Sequence, residues 1–318
     1  MRRKTSIAWL FYEDSIRKPG EELLKYTYLE NQKVKLFLTY SETDSKDVIL
    51  FVHGYPDTHR TWDLQIEELE TSYRLGAIDL RGFGRSSKPL EQSEYNYAAI
   101  LPDLLEAIRF LSKDKRVHLV GHDWGAALGW LFISDPEYSG YIRSFTAISG
   151  PHPWLAGKRM IDDIFSLNLE NWKKVFDQGF RSWYIWFYQI PFLPEFLWRN
   201  FGEPIYKLVM DLGGVPKKDH LRQMSRNDIY SATMAPIHLF RELLFGKTVI
   251  SAPSHIRIPV QLIVPEKDFI VLPEIYENAK DYVEKLEIHK LDSNHWVHRE
   301  QPKVVTELIR KFITNHSA

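Results

Sequence analysis

The run Arg116-Val117-His118-Leu119-Val120-Gly121-His122-Asp123-Trp124-Gly125-Ala126-Ala127-Leu128-Gly129 constrains this chain more than any other stretch. It reads as a short apolar strand, a Gly-x-Asp-x-Gly turn and a helix that starts at once. A residue pinched between strand and helix in so sharp a turn sits in strained backbone, so its neighbours must be small enough to let the helix pass. The expected result is a nucleophile elbow holding the Asp123 side chain over the carboxyl edge of a parallel sheet. A serine at that position needs a base before it can attack. A carboxylate is already charged at neutral pH, since free Asp has a pKa of about 3.9. It can displace a leaving group from an sp3 carbon and become an ester. Releasing the ester takes a water activated by a base, and donors for the oxyanion that forms. Asp123 therefore calls for a nearby histidine, a carboxylate to orient it, and backbone N–H groups aimed at one spot. A five-residue pattern is weak until the rest of the chain supplies that context.

The partners of an elbow residue come at the ends of later strands, acid first and histidine last. The apolar run Pro259 to Val264 leads into Pro265-Glu266-Lys267-Asp268-Phe269, and Leu286 to Leu291 leads into Asp292-Ser293-Asn294-His295-Trp296. Asp268 and His295 thus stand at strand carboxyl ends, where open α/β sheets place their sites. Another arrangement would put the acid after the preceding strand, but Ser144 to Pro153 holds no carboxylate, which leaves Glu266 as the competitor. His298 is the runner-up base, expected a turn into the following helix, while His289 alternates along a strand and reads as structural. His53-Gly54-Tyr55-Pro56, after the buried run Val48 to Val52, suits an oxyanion hole whose donors are the N–H groups of Tyr55 and Trp124. Asp79 and Arg81, after the run Arg74 to Leu80, read as a structural turn.

Leu23 to Leu29 and Val34 to Tyr40 look like an opening hairpin around Asn31-Gln32. Helical patterns over Thr61 to Ser72, Tyr97 to Leu111 and Ala126 to Ile133 alternate with the buried strands, which argues for a mostly parallel sheet flanked by helices. After the strand Ile142 to Ile148 the rhythm breaks. From Gly150 to about Phe245 come aromatic-rich helices interrupted by Pro191, Pro194, Pro204 and Gly213-Gly214, and then strands return before a closing helix, Pro302 to Thr314. Residues 150–245 are read as a helical cap inserted into a core made of 1–149 and 246–318. With 318 residues the chain has room for this arrangement, and a net charge of −1 gives no footprint for nucleic acid. The absence of cysteine excludes disulfides, thiolate catalysis and Cys-based zinc sites. Met1-Arg2-Arg3-Lys4 and the apolar Ile7 to Tyr12 are too short a combination for a secretory signal, and no run approaches a membrane span, so the cytoplasm is the default expectation.

The segments His53-Gly54-Tyr55-Pro56, Asp79-x-Arg81-Gly82-x-Gly84-x-Ser86, Gly121-His122-Asp123-Trp124-Gly125, Glu266-Lys267-Asp268-Phe269 and His295-Trp296 together resemble the α/β-hydrolase fold with an Asp nucleophile. The closest likeness is to soluble epoxide hydrolases, from about Leu23 to the end. That resemblance implies hydrolysis of an epoxide to a vicinal diol through an ester at Asp123, with a small hydrophobic substrate, no cofactor and no metal. It also implies two cap tyrosines that bind the epoxide oxygen and protonate the leaving alkoxide. Trp183 to Pro191 resembles the segment of the first, which makes Tyr184 the expected acid. The second matches Phe240 in Ile237-His238-Leu239-Phe240-Arg241-Glu242, so this chain departs from the pair. His238 or Tyr188 could supply the missing donor, and His53, Pro56, Tyr188, His238 and Phe240 are expected around the substrate. Haloalkane dehalogenases share the Asp nucleophile, and the indole of Trp124 would suit a departing halide equally well. A catalytically silent protein binding a small ligand through its aromatic cap is the third reading. The sequence assigns no oligomeric state.

Overall fold

The computed structural model describes residues 24–112, 114, 116–246 and 250–317. The basic start, the Ile7 to Tyr12 run and Leu23 lie outside the described residues. Two antiparallel strands open the chain, β1 (Leu24–Asn31) and β2 (Val34–Ser41). Asn31 is still paired with Val34, and the turn falls one residue later than expected because Gln32 takes a φ of 54°. The strands β3 (Val48–Val52), β4 (Arg74–Ile78), β5 (Val117–His122), β6 (Ile142–Ile148), β7 (Val260–Pro265) and β8 (Leu286–Leu291) complete an eight-stranded sheet of order β1-β2-β4-β3-β5-β6-β7-β8. From β4 to β8 every pairing is parallel. A mostly parallel sheet flanked by helices is the architecture expected from the sequence.

Burial explains why the strands read as they do. Central β3, β5 and β7 are buried at every position, whereas the outermost β1 and β8 contain partly exposed and exposed residues. A strand covered on both faces must be apolar throughout, and its alternate residues feed two separate cores. Leu50 and Val52 of β3 join the core under α2 (Tyr97–Leu111) and α3 (Trp124–Ser134). Ile49 and Phe51 join the other, under α1 (Asp63–Leu69) and α11 (Pro302–Asn315). The expected helix over Thr61 to Ser72 is shorter. A 3₁₀ turn, His59–Trp62, precedes α1, with the Thr58 hydroxyl accepting from the Arg60 N–H at its start.

Between β6 and β7 lie α4 (Pro153–Phe165), α5 (Leu169–Arg181), α6 (Trp183–Phe187), α7 (Leu193–Leu212), α8 (Arg226–Thr233) and α9 (Ile237–Phe245). Pro204 inside α7 removes one N–H and crowds the turn before it, and Phe201 there leaves helical geometry. Gln189 donates to the carbonyl of Phe240, and Arg241 donates to that of Tyr188, which ties the α6 segment to α9. A short helix, α10 (Val297–Glu300), follows β8. None of the described helices is long and apolar enough to cross a membrane.

The Asp79-x-Arg81 turn is structural in its contacts. Arg81 forms a two-pronged pair with Asp103 of α2, Nε to Oδ2 at 2.5 Å and Nη2 to Oδ1 at 2.7 Å, with both side chains out of solvent. Removing one partner strands the other charge, so Arg81→Met is expected to cost about 3–5 kcal/mol of stability. Replacing both, Arg81→Met with Asp103→Leu, is expected to recover much of that loss, as read from urea denaturation midpoints.

Candidate active site

The Asp123 backbone is pinned where β5 gives way to α3, at φ 52° and ψ −116°. Its N–H donates to the Ile148 carbonyl of β6 and its carbonyl accepts from Ala127. The surrounding glycines leave no room for side chains. A Cβ on Gly125 would stand 2.1 Å from the Val52 carbonyl oxygen, and one on Gly54 would stand 2.3 Å from the Asp123 carboxylate itself. This close approach lets the next residue act on Asp123: the Tyr55 N–H donates to Oδ1 at 2.8 Å. Of the two expected donors, only Tyr55 meets the carboxylate directly. Trp124 occupies the first position of α3, where an N–H has no carbonyl one turn back within the helix. The Tyr55–Pro56 peptide is cis.

The ends of β7 and β8 bring Asp268 and His295 to the same place. His295 Nδ1 lies 2.8 Å from Asp268 Oδ2, and its Nε2 lies 3.6 Å from Asp123 Oδ2. The other oxygen of Asp268 accepts from the N–H groups of Ile270 and Val271, at 2.7 and 3.3 Å. Asp268 therefore both caps its loop and holds the imidazole. Glu266, its competitor in the sequence, is exposed. The His295 carbonyl accepts from Ser149 Oγ at 2.7 Å and from His122 Nε2 at 3.0 Å, which fixes the backbone behind the ring.

Burial works against charge on His295, but Asp268 and Asp123 outweigh it and push its pKa up to about 10. Burial likewise opposes the charge of Asp123, and the nearby His295 overcomes it, with help from His122 and the Tyr55 N–H, holding its carboxyl below the ordinary range. The setting between the two acidic side chains thus favours a proton on His295.

An aromatic wall from the helices faces this group. Phe240, buried, stacks on Tyr188 at 4.5 Å between centroids and meets Tyr55, Trp124 and Tyr184 edge-on at 4.9, 5.2 and 5.8 Å. Among the described residues the Tyr184 hydroxyl has no hydrogen-bond partner. Burial, then the charges of Asp123 and Asp268, raise its pKa well above the usual phenol value. Tyr188 is committed elsewhere: its hydroxyl lies 2.8 Å from that of Tyr55 and accepts from Trp198 Nε1 at 3.0 Å.

Two expected pocket residues stand elsewhere. His53 is fully buried beneath the loop, with Nδ1 on the Gly54 carbonyl and Nε2 accepting from the Leu80 N–H. Both ring nitrogens are used by backbone, so it braces the loop instead of meeting substrate. His238 packs on Tyr95, 5.2 Å between centroids, because α9 turns Phe240 and not His238 toward the Asp123 group. Pro56 is buried beside Tyr55. His298, the runner-up base, is fully buried with Nε2 on Thr61 Oγ1 at 2.8 Å. His289 lies 3.6 Å from Glu287 on β8.

Sequence reasoning missed two features. Tyr276, in the 3₁₀ turn Pro273–Asp281, is buried with an unpartnered hydroxyl and feels the charges of Asp268 and Asp123. Asp57, His122 and His298 each turn one unpartnered atom toward the others, all within 4.8 Å. These three are ligand types that metals take, but they converge in the packed interior against Trp62 and Trp296. Burial pushes Asp57 up to about 6 and His122 down to about 3.

A family model described as alpha/beta hydrolase fold matches residues 47–302. Epoxide hydrolase 1 of Caenorhabditis elegans is 26% identical over 299 residues, covering 91% of this chain and 70% of that protein. Epoxide hydrolase 4 of Mus musculus is 27% identical over 304 residues, covering 91% and 79%. A crystal structure of Bacillus megaterium epoxide hydrolase with an inhibitor superposes with a TM-score of 0.75 at 24% identity, over 91% of this chain and all of that one, which speaks for the fold.

Asp123→Asn removes one of the two carboxylates that hold the His295 proton. Its pKa is expected to fall from about 10 toward the ordinary histidine range, as followed by titrating the imidazole signals in NMR spectra of wild type and variant.

Proposed function

The chain belongs to the α/β-hydrolase fold family, and on that premise we propose that it is an epoxide hydrolase working through an ester at Asp123. What carries the reading is the His295 imidazole set between Asp268 and Asp123, with the free Tyr184 hydroxyl facing the same charges. The names of the relatives point the same way. The helices between β6 and β7 serve as the cap, residues 150–245, and supply the acid.

In the first step an Asp123 oxygen attacks an epoxide carbon while the ring C–O bond opens. The departing alkoxide takes the Tyr184 proton, since an alkoxide leaves poorly unless an acid neutralises it. A phenol with a raised pKa stays protonated until that moment. Ester formation erases the Asp123 charge, and His295 loses one of the two partners that held its proton. That proton passes, by way of solvent, to the Tyr184 phenolate left by the first step, which restores the phenol and leaves His295 a neutral base. His295 Nε2 then takes a proton from water, the hydroxide adds to the ester carbonyl, and the oxyanion is held by the N–H groups of Tyr55 and Trp124. Collapse breaks the ester C–O bond, the leaving diol oxygen takes the proton that His295 drew from water, and the acid proton of the restored Asp123 carboxyl returns His295 to its charged form. No cofactor enters these steps. Phe240 leaves one hydroxyl where a pair is usual, and a halide leaving group would need neither, so dehalogenation stays as the second reading.

His295→Gln is expected to react once and stop, leaving a stoichiometric adduct on the peptide that carries Asp123, as seen by intact mass and peptide mapping after exposure to styrene oxide. Tyr184→Phe is expected to slow single-turnover alkylation by epoxides about 10²–10⁴-fold while leaving any reaction with bromoalkanes nearly unchanged. Phe240→Tyr is expected to raise the epoxide rate if its hydroxyl reaches the same oxygen. Wild-type turnover of bromoalkanes far above that of epoxides would instead assign the protein to dehalogenation.

A further inference from the structure

The helical insertion turns an apolar face to solvent. On α5, Leu169, Trp172, Phe176 and Phe180 follow at spacings of three, four and four, so they share one side of the helix. Trp183 and Trp186 continue this surface on α6, and Phe165, Leu167 and Phe192 flank it in the chain segments before and after. These side chains are between 41% and 85% exposed. Helix α4 packs on α5 and α5 on α6, which keeps these exposed side chains in one part of the insertion. At 150–250 Å² per buried aromatic, the exposed part amounts to on the order of 1,000 Å², against about 300–600 Å² for the largest patch on an ordinary monomer.

Three observations choose the occupant. Tryptophan, with its apolar ring and one N–H, favours the boundary between lipid and water, and Trp183 and Trp186 are exposed here beside Trp172, whose own N–H is given to the Ile164 carbonyl. From Ser182 to Pro194 the chain carries no charged residue. Lys173 stands three residues from Phe176 and four from Leu169, on the same side of α5, exposed and without a carboxylate partner among the described residues. An unpaired lysine beside an apolar stripe suits phosphate headgroups, whereas lysine is depleted from protein–protein interfaces.

We propose that this face docks on a phospholipid surface, lying within the interface without crossing it. The side of α6 opposite its tryptophans carries Tyr184 toward Asp123, so a hydrophobic substrate dissolved in the bilayer has the site's own wall as its point of arrival. The docking does not rest on the reaction proposed above, since a protein without turnover would bind lipid equally.

The test is flotation of the full chain with vesicles of pure phosphatidylcholine and of phosphatidylcholine containing phosphatidylserine. Binding to both is expected, stronger with serine lipid, together with quenching of tryptophan emission by brominated phosphatidylcholine. Phe176→Glu with Phe180→Glu is expected to lower partitioning about tenfold or more. Lys173→Glu is expected to abolish only the preference for serine lipid. Circular dichroism melts of each variant establish that it is folded. Absence of both flotation and quenching would overturn the proposal. So would a double variant that floats like wild type. A wild-type dimer that ignores vesicles and becomes monomeric in the double variant would make this face a contact between two copies.

Discussion

The site hangs on one residue held in backbone that its side chain does not favour. At φ 52° a non-glycine residue is strained by about 1–3 kcal/mol, and such geometry persists only where the surroundings fix it from several sides. Here β6 takes the Asp123 N–H, α3 takes its carbonyl, and the loop after β3 lies so close that Gly54 and Gly125 have no room for a Cβ. The closeness has a chemical use. It is what brings the Tyr55 N–H onto the carboxylate.

Around that point the charges are arranged asymmetrically. Two carboxylates share one imidazole, but only Asp268 has its second oxygen tied to loop N–H groups. Asp123 keeps one oxygen on a single N–H and the other 3.6 Å from His295, longer than a direct hydrogen bond. A unit charge about 4 Å away is worth about 4 kcal/mol at an effective dielectric constant of 20, enough to carry an imidazole across the neutral pH range. Chemistry that neutralises one partner thus changes the protonation of the other without moving an atom.

The sheet was legible because strands covered on both faces must be apolar without a break, and Val48–Val52 and Val260–Pro265 leave that mark. The meeting of Asp123, Asp268 and His295 followed from strand order alone. What depends on packing angle was not legible. His53 precedes a glycine turn, but nothing in that spelling says both ring nitrogens will be claimed by the backbone. His238 and Phe240 are neighbours on α9, and only the seating of the helix decides which ring meets Trp124. Tyr276 sits in a 3₁₀ turn that carries no periodic signal. Asp57, His122 and His298 come from three separate strand ends, and a chain order of that kind does not announce a cluster.

Tyr55 belongs to two layers at once. Its N–H serves the carboxylate in the sheet layer, while its hydroxyl meets Tyr188, which in turn accepts from Trp198 on α7. The two layers are therefore geared through one side chain. Any swing that lifts the helices off the sheet must either break the contact between the two hydroxyls or drag the Tyr55 ring with it. A displacement of these helices is thus felt at the N–H that meets Asp123.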